Sequence, residues 1–172
     1  MNYAAIYEVD CANGTGCRTS LFVSGCTHHC KGCFNEETWD FAYGKPYTQE
    51  VEDYVLSTLA SSYVDGLSVL GGEPMELTNQ EALLSLFQKV KALRKSLWVY
   101  SGYLFEELTD PDNRRCHGPH TDEILSLMDV LVDGEFILEK KNISLRFRGS
   151  ENQRIIDMPK SLSEGKPVLA EV

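Results

Sequence analysis

At 172 residues the chain is long enough for one substantial hydrophobic core, but short of the roughly 250 residues of a complete eightfold α/β barrel. Its 42% hydrophobic and 24% charged residues are those of a soluble globular protein, and no run of about 18 apolar residues offers a membrane span. A formal net charge of −10 argues against nonspecific nucleic-acid binding, which needs Lys and Arg to neutralise phosphate.

The opening Met1-Asn2-Tyr3-Ala4 lacks the basic-then-apolar layout of a signal peptide, so a cytoplasmic protein is expected. Six cysteines in such a chain point to metal binding before a disulfide framework. No repeat or linker divides the sequence. It reads as a single domain over 1–172, with its core at about 3–158 and a loose tail at 159–172.

Tyr3 to Val9 alternates weakly, as a strand does, and a turn-rich loop follows from Asp10 to Cys17. Cys11 and Cys17 in that loop suit a metal, a reversible disulfide, or two partly buried small residues near a site. The last is the preferred reading. Arg18 to Ser24 reads as a buried strand that delivers Cys26-Thr27-His28-His29-Cys30-Lys31-Gly32-Cys33 from its C-terminal end. In parallel α/β sheets that end is where ligands bind. Three thiolates spaced C-x3-C-x2-C can converge on one centre. On a cubane cluster they leave one iron without a protein ligand, free for substrate. A zinc knuckle taking His28 or His29 as fourth ligand is the structural alternative.

Thr48 is placed to cap a helix from Gln49 to Ser61, with Val51, Tyr54, Val55 and Leu59 along one stripe. Leu67 to Leu70 is the next strand, and Gly71-Gly72-Glu73-Pro74 follows it. Two glycines there let backbone approach a ligand closely and expose its amide and carbonyl groups, and Pro74 beside an acidic residue fixes the exit of the loop. The tetrapeptide alone is an ordinary turn; about 40 residues beyond a cysteine triad it corroborates a βαβ-type site. Thr78 to Glu81 has the form of a capping box opening a helix with Leu83, Leu86, Phe87, Val90 and Leu93 on its core face. Leu97 to Tyr100 is a strand ending in Ser101-Gly102-Tyr103. Cys116-His117-Gly118-Pro119-His120 is expected as a surface loop, lacking a fourth metal partner. A helix over Thr121 to Met128 then precedes the strand Val130 to Val132, which ends at Asp133-Gly134.

The cysteine spacing, with Phe34-Asn35 and Thr38-Trp39 beyond it, resembles the radical S-adenosylmethionine (SAM) superfamily. The string from Phe22, the Asp129-to-Phe136 segment and the stretch Arg148-Gly149-Ser150-Glu151-Asn152-Gln153-Arg154 are similar to the activating proteins of anaerobic ribonucleoside-triphosphate reductase. The resemblance covers about residues 3–156. It implies an α/β fold, an incomplete (β/α) barrel with a largely parallel sheet. It also implies that Cys26, Cys30 and Cys33 ligate a [4Fe–4S] cluster whose open iron is chelated by SAM. Reductive cleavage of SAM would give a 5′-deoxyadenosyl radical that generates a glycyl radical on the reductase large subunit, with a flavodoxin-like electron donor. Gly71, Gly72 and Glu73 would hold the SAM ammonium, and Phe34 would lie against adenine with the Gly32-Cys33-Phe34 backbone reading its edge. Ser101 would bond the SAM carboxylate or ribose, unless it is only a strand-terminal turn. Asp133 would face SAM directly or through a cation, unless it is only an Asp-Gly turn. The basic residues near the C-terminus would meet the partner, the SAM carboxylate or local acids. The alternatives are an activase of a different glycyl-radical enzyme, a small-molecule radical SAM enzyme such as a deazaguanine synthase, or a zinc-binding interaction module.

Overall fold

The computed structural model describes residues 1–172. Seven strands form one sheet: β1 (Asn2–Asp10), β2 (Arg18–Val23), β3 (Lys45–Pro46), β4 (Gly66–Gly71), β5 (Ser96–Ser101), β6 (Val130–Asp133) and β7 (Arg154–Asp157). The helices are α1 (Gln49–Leu59), α2 (Leu77–Ala92), α3 (Phe105–Leu108), α4 (Thr121–Leu127) and α5 (Met158–Glu164). No helix is long and apolar enough to cross a membrane.

The strand order is β3-β1-β2-β4-β5-β6-β7. Only β2, β4, β5 and β6 run parallel, joined by helical crossovers, while β1, β3 and β7 are antiparallel to their neighbours. The sheet is therefore mixed and open, where a largely parallel one was expected. The short Cys11–Cys17 loop dictates the β1–β2 hairpin, because a parallel return needs a dozen or more residues. Strand β7 went unread because only Ile155 and Ile156 stand between two charged residues.

Alternation along the parallel strands gives the sheet two different faces. Leu21, Val23, Leu67, Val69, Leu97, Val99 and Leu131 join Val55 and Leu59 of α1, Leu83, Leu86, Phe87 and Val90 of α2, and Ile124 and Leu125 of α4 in one buried core. On the other face Phe22, Leu70, Tyr100 and Val132 border a cavity. Toward the strand starts that same face carries Arg18. Its guanidinium is fully buried and donates to Leu67 O (2.9 Å), Ser96 O (3.0 Å), Ser68 Oγ (2.8 Å) and Ser96 Oγ (2.8 Å), beside the Trp98 ring.

Several local expectations shift. Thr48 does cap α1, accepting from Val51 N. Tyr54, however, is exposed and Glu52 takes the buried position, held by Lys89 at 2.6 Å. Helix α2 begins before Thr78: the Glu73–Glu76 turn (Glu76 N to Glu73 O, 3.2 Å) starts the helical path early, so Thr78 is no cap. Leu93 lies past the last turn and is exposed. The segment after 158, expected to be loose, is docked. Asp157 caps α5 by accepting from Lys160 N, and the chain then returns so that Ala170 N donates to Ile155 O (2.9 Å).

Candidate active site

The cysteine loop leaves β2 and is fastened by backbone. Gly25 N donates to Thr38 O (2.7 Å), Cys26 N to Trp39 O (3.2 Å), and the His29 ring stacks on Trp39 at 4.4 Å. Gly72 brings the β4 loop against it: a Cβ there would lie 2.7 Å from Gly25 O and 3.0 Å from Thr38 O. Gly71 has φ +100°, a conformation open to glycine. Two loops thus meet at backbone distance because the second begins with two residues lacking side chains.

Cys26, Cys30 and Cys33 border one cavity of about 530 Å³, together with Phe34, Gly71, Gly72, Glu73 and Ser101. The size is that of a site for a drug-sized molecule. All three thiols are free, whereas Cys11 and Cys17 are joined as a disulfide in the β1–β2 loop. The preferred reading of that pair as merely two small residues is thereby corrected. Burial pushes the Cys26 thiol up to about 12, and the Glu73 and Glu76 carboxylates add to the effect. Burial and then Glu135 raise the Cys30 thiol as well. Without a metal these thiols hold their protons, which a bound metal centre would have to displace.

No three His, Cys, Asp or Glu side chains are close enough to share a single metal ion. One tetrahedral ion would hold its thiolates within about 4 Å of each other. A cubane instead gives each thiolate its own iron and spreads them apart. The donor set, three free thiols bordering one cavity, suits a cluster held by three thiolates. Three further lining residues carry buried polar atoms with no partner in the protein, Trp39 Nε1, the Tyr100 hydroxyl and Arg148 Nε.

A family model described as a 4Fe-4S single cluster domain matches residues 12–156. The chain is also similar to curated proteins named anaerobic ribonucleoside-triphosphate reductase-activating protein. That of Vibrio cholerae is 43% identical over 90% of this chain and 97% of its own. That of Escherichia coli K12 is 39% identical, over 89% and 96%. That of Enterobacteria phage T4 is 38% identical, over 90% and 93%. The chain belongs to this family of reductase-activating proteins.

Not every residue singled out from the sequence of this family member reaches the cavity. Gly32 stands outside it, at φ +76° beneath Leu138. Asp133 is fully buried away from it: Arg154 Nε donates to Oδ1 (3.0 Å) and Phe105 N to Oδ2 (2.7 Å). Arg154 also bonds Glu106, so this basic residue pairs with local acids. Cys116 is buried in the core, while His117 pairs with the exposed Asp122 and Pro119 is exposed, so the loop lies at the surface as expected with one residue anchored inside. Glu73 borders the cavity but is 1% exposed, and its oxygens already accept from protein donors.

Sequence reasoning missed His28, which it weighed only as a zinc ligand. The ring is buried between Glu73 (Nε2 to Oε1, 2.7 Å) and Glu135 (Nδ1 to Oε1, 2.9 Å). Burial alone would lower the basicity of His28; the two carboxylates outweigh it and raise the pKa above the usual value. Lys141, Arg148 and Gln153 of the 134–153 connection also border the cavity. Contacts between residues so far apart in sequence leave no local signal.

Proposed function

We propose that the chain is a radical SAM activase, an oxidoreductase that generates a glycyl radical on the large subunit of anaerobic ribonucleoside-triphosphate reductase. The open sheet is then an incomplete (β/α) barrel, with its ligand side at the C-terminal ends of the parallel strands. Three free thiols on the wall of one glycine-lined cavity carry this reading, together with the names of the curated relatives.

Cys26, Cys30 and Cys33 would hold a [4Fe–4S] cluster, and SAM would bind beside it. When bound, this pair supplies one-electron cleavage of the sulfonium and thereby the means to take a hydrogen atom from glycine. The protein's own part is to place and shield. The Gly71-Gly72 backbone brings the β4 loop against the cysteine loop, and Phe34, 62% exposed and packed on Phe136, offers an apolar surface for adenine at the mouth. Phe22, Leu70 and Val132 keep the inner wall apolar, which limits access of water to a reactive species. The cavity opens beside exposed Ile143, where a glycine-bearing segment of the reductase would enter. The protein would work in the cytoplasm with a flavodoxin-like donor, and its charge of −10 argues against nonspecific binding to nucleic acid.

Anaerobic reconstitution with iron and sulfide tests the chemistry. The proposal expects a brown protein bleached by dithionite that forms 5′-deoxyadenosine when SAM is added. Colourless protein holding one zinc would support an interaction module in its place.

A further inference from the structure

We propose that His28 is a positioning residue for the cofactor-binding loops, acting through the carboxylates of Glu73 and Glu135. The inference rests on the radical SAM reading only for the identity of the ligand.

The tripeptide Ser101-Gly102-Tyr103, which ends β5, is given over to His28 and Glu73. Ser101 Oγ lies 2.9 and 3.0 Å from the two Glu73 oxygens, and Gly102 N donates to Glu73 Oε1 at 2.7 Å. Gly102 has no side chain where one would collide with the His28 ring, since a Cβ would stand 2.7 Å from Cδ2 and Nε2. Tyr103 packs edge-on against the same ring at 4.4 Å. Met75 N supplies another donor to Glu73, at 2.7 Å. With Oε1 facing His28, Ser101 and Gly102, and Oε2 facing Met75 and Ser101, the Glu73 carboxylate is held in one orientation between the cysteine loop and the end of β5.

On its far side His28 meets Glu135, whose own backbone carbonyl accepts from Asn152 Nδ2 (2.8 Å). One buried imidazole from the cysteine loop therefore ties together the loops that follow β4, β5 and β6. These loops border the cavity at Glu73, Gly102 and Gly134. Residues of this kind, which orient the groups around a metal centre, characteristically cost about ten- to a hundredfold in affinity or activity when removed.

The test uses anaerobically loaded protein and two single variants. His28→Ala removes the ring; Gly102→Ala keeps every polar group and only fills the seat of the ring. Iron content, melting temperature, the Kd for SAM and backbone hydrogen exchange are measured on each. The inference predicts that both variants load iron as the parent does and bind SAM about tenfold or more weakly. Peptides over 100–105 and 133–137 should exchange faster, and the double variant should be no worse than His28→Ala. Parent-like Kd and exchange in either variant that loads iron would overturn it. So would a loss confined to iron content in His28→Ala while Gly102→Ala matches the parent. Should the parent itself bind no SAM, the radical SAM reading fails, and the exchange measurement alone decides the role of His28.

Discussion

Arg154 holds Asp133 at two points, Nε to Oδ1 and Nη2 to Oδ2, across the antiparallel register that pairs β7 with β6. The acid is fully buried and the arginine partly exposed, so the pair locks the last strand to the sheet beside the site. Arg154→Ala leaves a buried carboxylate without its cation. A loss of roughly 3 kcal/mol in urea unfolding is expected. Arg154→Lys should recover only part of it, since one ammonium cannot reproduce the fork.

The same arginine holds the Glu106 carboxyl below its ordinary range, against a small opposing effect of burial. A carboxyl with a depressed folded-state pKa adds stability above its unfolded value of about 4.3, and that contribution is lost as pH falls through the folded value. Glu106 is half exposed, so the effect is small. Urea midpoints for Glu106→Gln should lie below the parent at pH 7, and the gap should close as the solution is acidified beneath both values.

Arg18 and the cysteine loop sit at opposite ends of β2, which separates stability from chemistry. Burial lowers the guanidinium to about 10, still charged at neutral pH, and its neighbours are mostly backbone carbonyls and hydroxyls. Arg18→Met strips donors from those buried acceptors. It should cost roughly 3 kcal/mol in urea unfolding while leaving iron per folded chain unchanged. A selective loss of iron would show that the two ends are coupled.

Gly72→Ala makes the opposite separation. The added Cβ presses on Gly25 O and Thr38 O, which are backbone and yield only by moving the cysteine loop. The far-UV spectrum should stay that of the parent, with iron binding reduced to roughly half or less on reconstitution.

The parts legible in the sequence were those governed by local pattern. Leu67 to Leu70 and Leu97 to Tyr100 announced buried strands, Thr48 announced a cap, and the close spacing of Cys26, Cys30 and Cys33 brings the three onto one cavity. Strand direction was not legible at the edges. Arg154 to Asp157 is too short for a period to emerge, and its partner lies about twenty residues upstream. Polar partners were the least legible. Asp133 and Ser101 stand at strand ends where ligands bind, and nothing in their neighbours along the chain shows that Arg154 and Glu73 engage them. His28 was obscured for the same reason, because Glu73 and Glu135 meet it only after three loops close.

One electron paramagnetic resonance experiment tests the central claim most directly. The protein, reconstituted with iron and sulfide without oxygen, is mixed with SAM, reductant and an anaerobic reductase large subunit. The account predicts a glycyl-radical doublet on the large subunit that is absent with Cys26→Ala. No doublet, while 5′-deoxyadenosine still accumulates in the same tube, would contradict the reductase as substrate.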